Sequence, residues 1–455
     1  MNAASTTIVS RLTEIAGPSN VIADPAQLRA YEICGKTPGA AVRPGSSEDV
    51  AEIVKFAAAE RLGIVACGAR TKLDMGAPPR QYDLALDMTR LDHVAAYDPG
   101  DLTLGVEPGI PLSRLEGVLA EHGQFLPLDA PFMKRATVGG TIASGVDSPL
   151  RQFYGTARDY VLGMEFVTGD GAPAKSGGRV VKNVAGYDLH KLMIGALGTL
   201  GVITKINFRT FPLPAGARTL VVTLESARPA LDLRHFVARS PLRPLTAEIL
   251  SPRAAELLAD DLGALSTTRW ALVASFAGTP NVLERCENEM RRMAEQLGAA
   301  GFASLDEADR VLGASSRTRE FVPAALKSSP AATIAKLGVV PARMQQILDA
   351  AAKAADAAEL PWAALARGVG VTYFALLPSE QNPEALSRVV RATNDIVAEC
   401  AALGGNATIP WCPVEWKSVL QVWGIGRGDF EQMRKLKKVF DPPGILAPGR
   451  FVGGI

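Results

Sequence analysis

Three absences bound this 455-residue chain before any motif is considered. Charge of one sign is lacking: 48 Lys and Arg against 47 Asp and Glu leave a formal net charge of +1, so bulk electrostatics gives no attraction to nucleic acid or to an anionic membrane surface. Long apolar runs are lacking too. No stretch of about 18 uninterrupted apolar residues occurs, and the start, MNAASTTIVSRLTEIAG, has no basic segment leading into an apolar one. Neither a membrane span nor a signal peptide is expected, and the expected location is cytoplasmic. Cysteine is sparse. The five present (Cys34, Cys67, Cys286, Cys400, Cys412) are scattered without CxxC spacing, which argues against a disulfide framework and against a zinc or iron–sulfur site. Cys400 and Cys412 read as small buried hydrophobes. Any redox chemistry then needs a borrowed organic cofactor or a partner's metal.

What is there is ordinary folded-protein material, 47% hydrophobic and 21% charged, in a chain long enough for two or three domains. "AVRPGSSEDVAEIVKFAAAERLGIVACGARTKLDMG" spells a helix capped by Ser46 or Ser47 with Glu48 and Asp49 in its first turn, ended by Gly63, then a strand at Ile64–Ala66 and a polar loop. Short strands are expected at 83–88, 102–106, 160–168 and 202–209, a helix at 111–122, and a hairpin turn at Gly169–Gly171. The mixture lacks the regular rhythm of a doubly wound sheet and predicts an α+β fold. A boundary is expected at Pro212–Gly216. Beyond it, strands at 219–224, 270–276, 333–339 and 370–375 alternate with helices at 282–297, 341–357 and 383–401. They predict an antiparallel sheet with helices on one face.

Glycine clusters carry the functional signal. "ACGARTKLDMG" follows a strand, and its small residues let successive N–H groups point into one concavity, as a pyrophosphate site requires; a tight surface turn is the competing reading. "PFMKRATVGGTIASG" offers Gly139 and Gly140 for close approach and the hydroxyls of Thr137, Thr141 and Ser144, followed by Arg151, Gly155, Arg158 and Asp159 in "RQFYGTARDY"; helix packing through small residues competes here. "SGGRVVKNVAGYDLHKLMIGALGTLGVIT" (176–204) holds six glycines. Its GxxGxxG (Gly195, Gly198, Gly201) follows a helix and precedes a strand, the reverse of the dinucleotide fingerprint. Three such segments beside strands read as one ligand bed.

Together with "RPGSSEDVAEIV", "YGTARDYVLGMEFVTGDG" and the C-terminal "FDPPGILAPGRF", these stretches resemble FAD-binding oxidoreductases of the vanillyl-alcohol oxidase and p-cresol methylhydroxylase superfamily, within it the FAD-binding subunits of glycolate oxidase and their D-lactate dehydrogenase relatives. The resemblance implies an FAD-binding domain over 1–215, a cap domain over 216–438 and a terminal segment, 439–455, that returns to the FAD domain. By position, Cys67, Gly68, Ala69, Arg70, Thr71 and Lys72 form the pyrophosphate loop. Pro131, Thr137, Gly139, Gly140 and Ser144 line the flavin and diphosphate, Gly155 and Arg158 continue that wall, Val202 and Ile203 touch the cofactor from a strand, and Arg450 closes the bed. Arg70 stands where the family usually has a small residue, and reads either as a charge for phosphate or as a plain surface arginine. The family's covalent histidine is replaced by Thr71, so FAD is expected to be non-covalent.

The departures matter as much. Relatives carry two metal-binding histidines in the cap, whereas this chain's four histidines are His93, His122, His190 and His235, and "LGGNATIPWCPVEWK" has none where a histidine motif is expected. No metal site is expected. Where relatives bind the substrate carboxylate, this chain has Val181 and Ala185. Lys182 and Tyr187 remain as catalytic candidates, with Asp188 beside them, and Arg319 and Lys327 as cap cations for an anionic substrate; solvated helix charges are the competing reading. The resemblance implies oxidation of a small 2-hydroxy acid (glycolate or D-lactate) and electron transfer to an iron–sulfur partner, with a sister flavoprotein subunit and peripheral inner-membrane attachment through partners. The alternative is a non-catalytic, FAD-carrying relay or structural subunit.

Overall fold

A computed structural model describes residues 3–179, 186–308, 312–426 and 428–455. The fold is α+β. Strands β1 (Val21–Ile22), β2 (Ala40–Val42), β3 (Ile64–Cys67) and β4 (Leu84–Asp87) form a sheet ordered β1-β2-β4-β3, in which β4 runs parallel to both β2 and β3. The helix Ser47–Glu60 packs on it. Ser46 accepts the Asp49 N–H at 3.0 Å and the Asp49 carboxylate accepts the Gly45 N–H at 2.8 Å, a reciprocal cap. Val50, Ile53, Val54 and Ala57 recur at helical spacing and bury against Val42, Leu84 and Leu86.

A second, wholly antiparallel sheet contains β5 (Val94–Asp98), β6 (Thr103–Val106), β8 (Val161–Val167), β9 (Pro173–Gly177) and β10 (Val202–Arg209) in the order β5-β6-β10-β8-β9. The two-residue β7 (Gln124–Phe125) pairs separately with β11 (Phe211–Pro212). The chain's end closes this half. Leu446 bridges Ile64 in parallel, and Ile445 and Leu446 enter the core of the first sheet.

The intervening chain forms an eight-stranded antiparallel sheet made of β12 (Ala217–Leu224), β13 (Thr246–Leu250), β14 (Trp270–Ala277), β15 (Gly301–Asp306), β16 (Thr333–Gly338), β17 (Trp362–Arg367), β18 (Val371–Leu376) and β19 (Asn406–Trp411). Its order, β15-β12-β14-β13-β17-β18-β16-β19, resolves into two βαββαβ units joined edge to edge through β13 and β17. Strand alternation explains its two buried faces. Leu220, Val222, Leu272, Ala274, Phe374 and Leu376 meet the long helices, including Pro280–Gln296, Met344–Ala357 and Pro383–Ala402. Val221, Ala271, Val273, Tyr373 and Ala375 face the other way, toward the short helices Pro252–Leu257 and Phe321–Ser328 and toward Met75 and Val146 of the N-terminal half. Helices therefore cover both faces rather than the one expected. The second face meets the site.

Candidate functional site

β3 delivers the chain into the loop 68–72. Among the described residues no protein acceptor takes the backbone N–H of Gly68, Ala69, Arg70, Thr71 or Lys72, and Arg70 adopts a left-handed φ of 60°. Consecutive unpaired amides in such a turn make an anion-binding concavity. Opposite stands the helix Val138–Ser144, whose cap Thr137 accepts the Gly140 N–H at 3.4 Å. The loop meets the helix cap too closely for a side chain, since a Cβ on Gly68 would lie 2.1 Å from Thr137 Oγ1, and the helix likewise packs on the 108 turn, where a Cβ on Gly139 would lie 2.5 Å from Pro108 Cβ.

These segments line a cleft whose empty space, counted out into the solvent at its mouth, is about 810 Å³. It brings together Cys67, Gly68, Ala69, Arg70, Thr71, Lys72, Thr137, Gly139, Gly140, Ser144, Val202, Ile203 and Arg450. Three expected members lie elsewhere. Gly155 ends a short helix and leads into the Thr156–Asp159 capping box, and Arg158 is exposed and donates to the Lys191 carbonyl at 2.8 Å. Pro131 is buried in a turn whose next two amides, those of Phe132 and Met133, donate to Glu320. The cleft also uses Val65, Ala66, Leu73, Met88, Pro108, Ala143, Leu197, Gly198 and Gly201. Gly198 and Gly201 belong to the third glycine segment, which reads as part of the ligand bed, although neither is named there as a cofactor contact.

The cleft's cations differ in what they are free to do. Arg70 is neither a free phosphate ligand nor a plain surface residue: it pairs with buried Asp87 at 3.1 Å and stacks over Tyr31, 4.6 Å from the ring centroid. Arg450 is buried, and its guanidinium donates to the Leu73 and Met75 carbonyls, so the tail pins the loop. Lys72 donates to Thr71 Oγ1 at 3.1 Å and has no carboxylate within ion-pair distance among the described residues. Burial pushes its amine down to about 8, with Glu320 opposing.

A second cavity, with about 1060 Å³ of empty space that includes open solvent, shares Ser144 and Leu197 with the first and is bounded by the β16–β18–β19 face of the large sheet. Its charged lining is Arg151 and Lys336, which converge on one buried carboxylate: Arg151 meets Asp147 Oδ1 and Lys336 meets Asp147 Oδ2, each at 2.7 Å. Burial opposes the Asp147 charge, but Lys336 and Arg151 outweigh it and hold the carboxyl down at about 2. Tyr373, Trp411 and Trp423 supply aromatic surface. The sequence reading missed Lys336, although a lysine inside the apolar strand TIAKLG is the kind of buried charge that asks for a partner.

Neither Tyr187 nor Arg319 lines this cavity. Lys182 lies outside the described residues, as do Val181 and Ala185. Tyr187 is 89% exposed. Arg319 is part-buried and spends its charge on Asp129 at 2.8 Å and Glu320 at 3.5 Å, tying the cap to the 129–133 turn; Lys327 is exposed. Among the described residues no histidine lines either cavity, no group of three or more His, Cys, Asp or Glu could hold a metal, and no helix is long and apolar enough to cross a membrane.

The chain matches the FAD binding domain family over residues 38–176 and the C-terminal domain of FAD linked oxidases over 213–409 and 423–451. It is 25% identical to the glycolate oxidase subunit GlcD of Bacillus subtilis (strain 168) over 455 residues, 98% of this chain and 96% of that protein. It is 37% identical to the glycolate oxidase subunit GlcE of Escherichia coli (strain K12) over 175 residues, 38% and 49% of the respective lengths. A solved p-cresol methylhydroxylase with substrate bound shares its fold at a TM-score of 0.79 and 19% identity, covering 99% of this chain and 97% of that one. The unpaired amides of 68–72 and the side-chain-free approach at Gly68 and Gly139 fit the diphosphate of the cofactor that these families share. The chain belongs to the FAD linked oxidases and is an FAD-dependent oxidoreductase.

Proposed function

We propose that this chain oxidises a small 2-hydroxy acid, the class that includes glycolate and D-lactate, and passes the electrons to an iron–sulfur subunit within a complex that also holds a sister flavoprotein. The observation that carries this reading is the cationic cavity joined to the cleft through Ser144 and Leu197. FAD, held non-covalently, supplies a two-electron acceptor. The 68–72 amides and Lys72 receive its diphosphate, and Gly139, Gly140, Ser144, Val202 and Ile203 form the walls. Arg151 and Lys336 hold the substrate carboxylate, prepositioned by Asp147, so that binding costs little side-chain ordering. Arg319 is a positioning residue for the 129–133 turn. Attachment to a membrane runs through the partner subunits.

One observation favours a second reading, an electron relay. Among the described lining residues of the substrate cavity there is neither a histidine nor an unpaired carboxylate to take the hydroxyl proton. The test is the visible spectrum of the purified chain before and after acid precipitation, then anaerobic addition of 2-hydroxy acids. Yellow colour released to the supernatant, followed in the native sample by bleaching, supports the oxidase. Bleaching only within the assembled complex supports the relay, and a colourless protein that stays so with added FAD contradicts both.

A further inference from the structure

The substrate cavity is built for more than a carboxylate. Two cations, Arg151 and Lys336, share one acid, Asp147, so its walls carry one positive charge in excess; the neighbouring Arg367 is already matched by Glu248 at 3.1 Å. One excess charge suits one carboxylate. The rest of the lining is uncharged: Ser144, Tyr373, Asn406 and Thr408 add polar groups, and Val371, Val422, Trp411 and Trp423 form an apolar wall. Both indoles are fixed: Trp423 Nε1 donates to the Arg450 carbonyl at 3.1 Å and its ring packs edge-on to Phe451 at 4.8 Å, while Trp411 is buried on β19 against Tyr373 at 6.4 Å. Trp411 sits in the segment where the resemblance leads one to expect a histidine motif. A rigid aromatic wall there replaces a polar centre.

We infer that the cavity selects a 2-hydroxy acid with a single carboxylate and an apolar, preferably aromatic, side chain, over both lactate and dicarboxylic 2-hydroxy acids. The inference rests on the reading above that this cavity receives a 2-hydroxy acid. A methyl group leaves the indole walls uncovered and forgoes the burial of apolar surface. A second carboxylate would meet those walls with no cation to pair with, and a buried unpaired charge is strongly disfavoured.

The experiment is anaerobic titration of the FAD-loaded full chain with D-3-phenyllactate, D-lactate and D-2-hydroxyglutarate, following both flavin bleaching and the shift of its absorption bands. The band shift reads binding even where turnover needs a partner. The half-saturating concentration of phenyllactate is expected to fall at least about tenfold below that of lactate, the scale on which apolar pockets discriminate, with hydroxyglutarate weakest. Trp411→Ala should shrink the phenyllactate–lactate gap, and Trp411→Phe should keep most of it, with FAD content reporting that each variant folds. Lactate or hydroxyglutarate binding as tightly as phenyllactate overturns the selectivity and leaves the oxidase reading standing. No response to any of the three acids overturns both.

Discussion

The cleft proposed to receive FAD and the cavity that adjoins it are built by opposite means. In the cleft the decisive feature is bare backbone: Gly68 fits against the Thr137 side chain, Gly139 fits against Pro108, and among the described residues no protein acceptor takes the five consecutive amides of 68–72. Their chemistry is the same for any side chain, so only the glycines reveal them. In the cavity the decisive contacts are between charged side chains, with Asp147 and Arg151 on one half of the molecule and Lys336 on the large sheet. A fixed cofactor can be held by invariant backbone geometry, whereas choice of substrate is written in side chains that long-range folding must first bring together.

The largest expected break in this comparison comes from Asp147→Ala. It leaves Arg151 and Lys336 facing each other, and the cost should be about 3 kcal/mol, the lower end of the range for breaking a buried pair, because both cations keep some contact with water. Thermal unfolding should show the loss, and adding Lys336→Met should recover much of it. The sign with pH follows from the depressed Asp147 pKa: its stabilisation is complete above the ordinary aspartate value of about 3.9 and fades as pH falls toward about 2.

Gly68→Val should come next. Its side chain meets Thr137 Oγ1, and overpacking of this kind costs about 1–3 kcal/mol, read here as a lower flavin-to-protein ratio after purification with the circular dichroism of the fold retained.

Smaller still is the effect of pH on cofactor affinity through Lys72. Its amine is protonated below about pH 8 and loses its charge above it, so the FAD dissociation constant should rise as pH rises through that value, and Lys72→Met should flatten the profile. The FAD-free protein should respond in the opposite sense. Burying the protonated amine weakens the fold below about pH 8, and that cost is relieved as pH climbs toward the ordinary lysine value of about 10.4. Isothermal titration and thermal unfolding across the same buffers separate the two trends. Least of all should follow from Tyr187→Phe: the side chain is 89% exposed, and both flavin content and melting temperature should stay unchanged within about 0.5 kcal/mol.

Much of the fold was legible because local signals agreed with the tertiary structure. The Ser46 cap, β3, β8, β10 and the long cap helices lie where propensity and periodicity put them. Four cap strands, β13, β15, β17 and β19, were missed. TAEIL carries a glutamate whose partner Arg367 is supplied only by β17, WAALAR reads as helix from its alanines, GFASLD alternates weakly, and NATIPW contains a proline. The site followed the same rule. Glycine loops announced the cleft, while Arg151, Lys336 and the two tryptophans acquire meaning only when β16 and β19 are laid over Ser144. Arg319, read as a cation for substrate, is consumed by Asp129, a pairing across the two halves of the molecule that no local pattern signals.

The central claim is that the cationic cavity opens onto the flavin. Its most direct test is titration of the FAD-loaded protein with 2-hydroxy-2-methylpropanoate, a 2-hydroxy acid with a single carboxylate and no C–H bond at its hydroxyl carbon to oxidise, in wild type and in Lys336→Met. The account predicts a saturable shift of the flavin absorption bands in the wild type that is lost or moved to at least about tenfold higher concentration of the acid in the variant. A wild-type flavin blind to this acid, or a shift that Lys336→Met leaves intact, would contradict it.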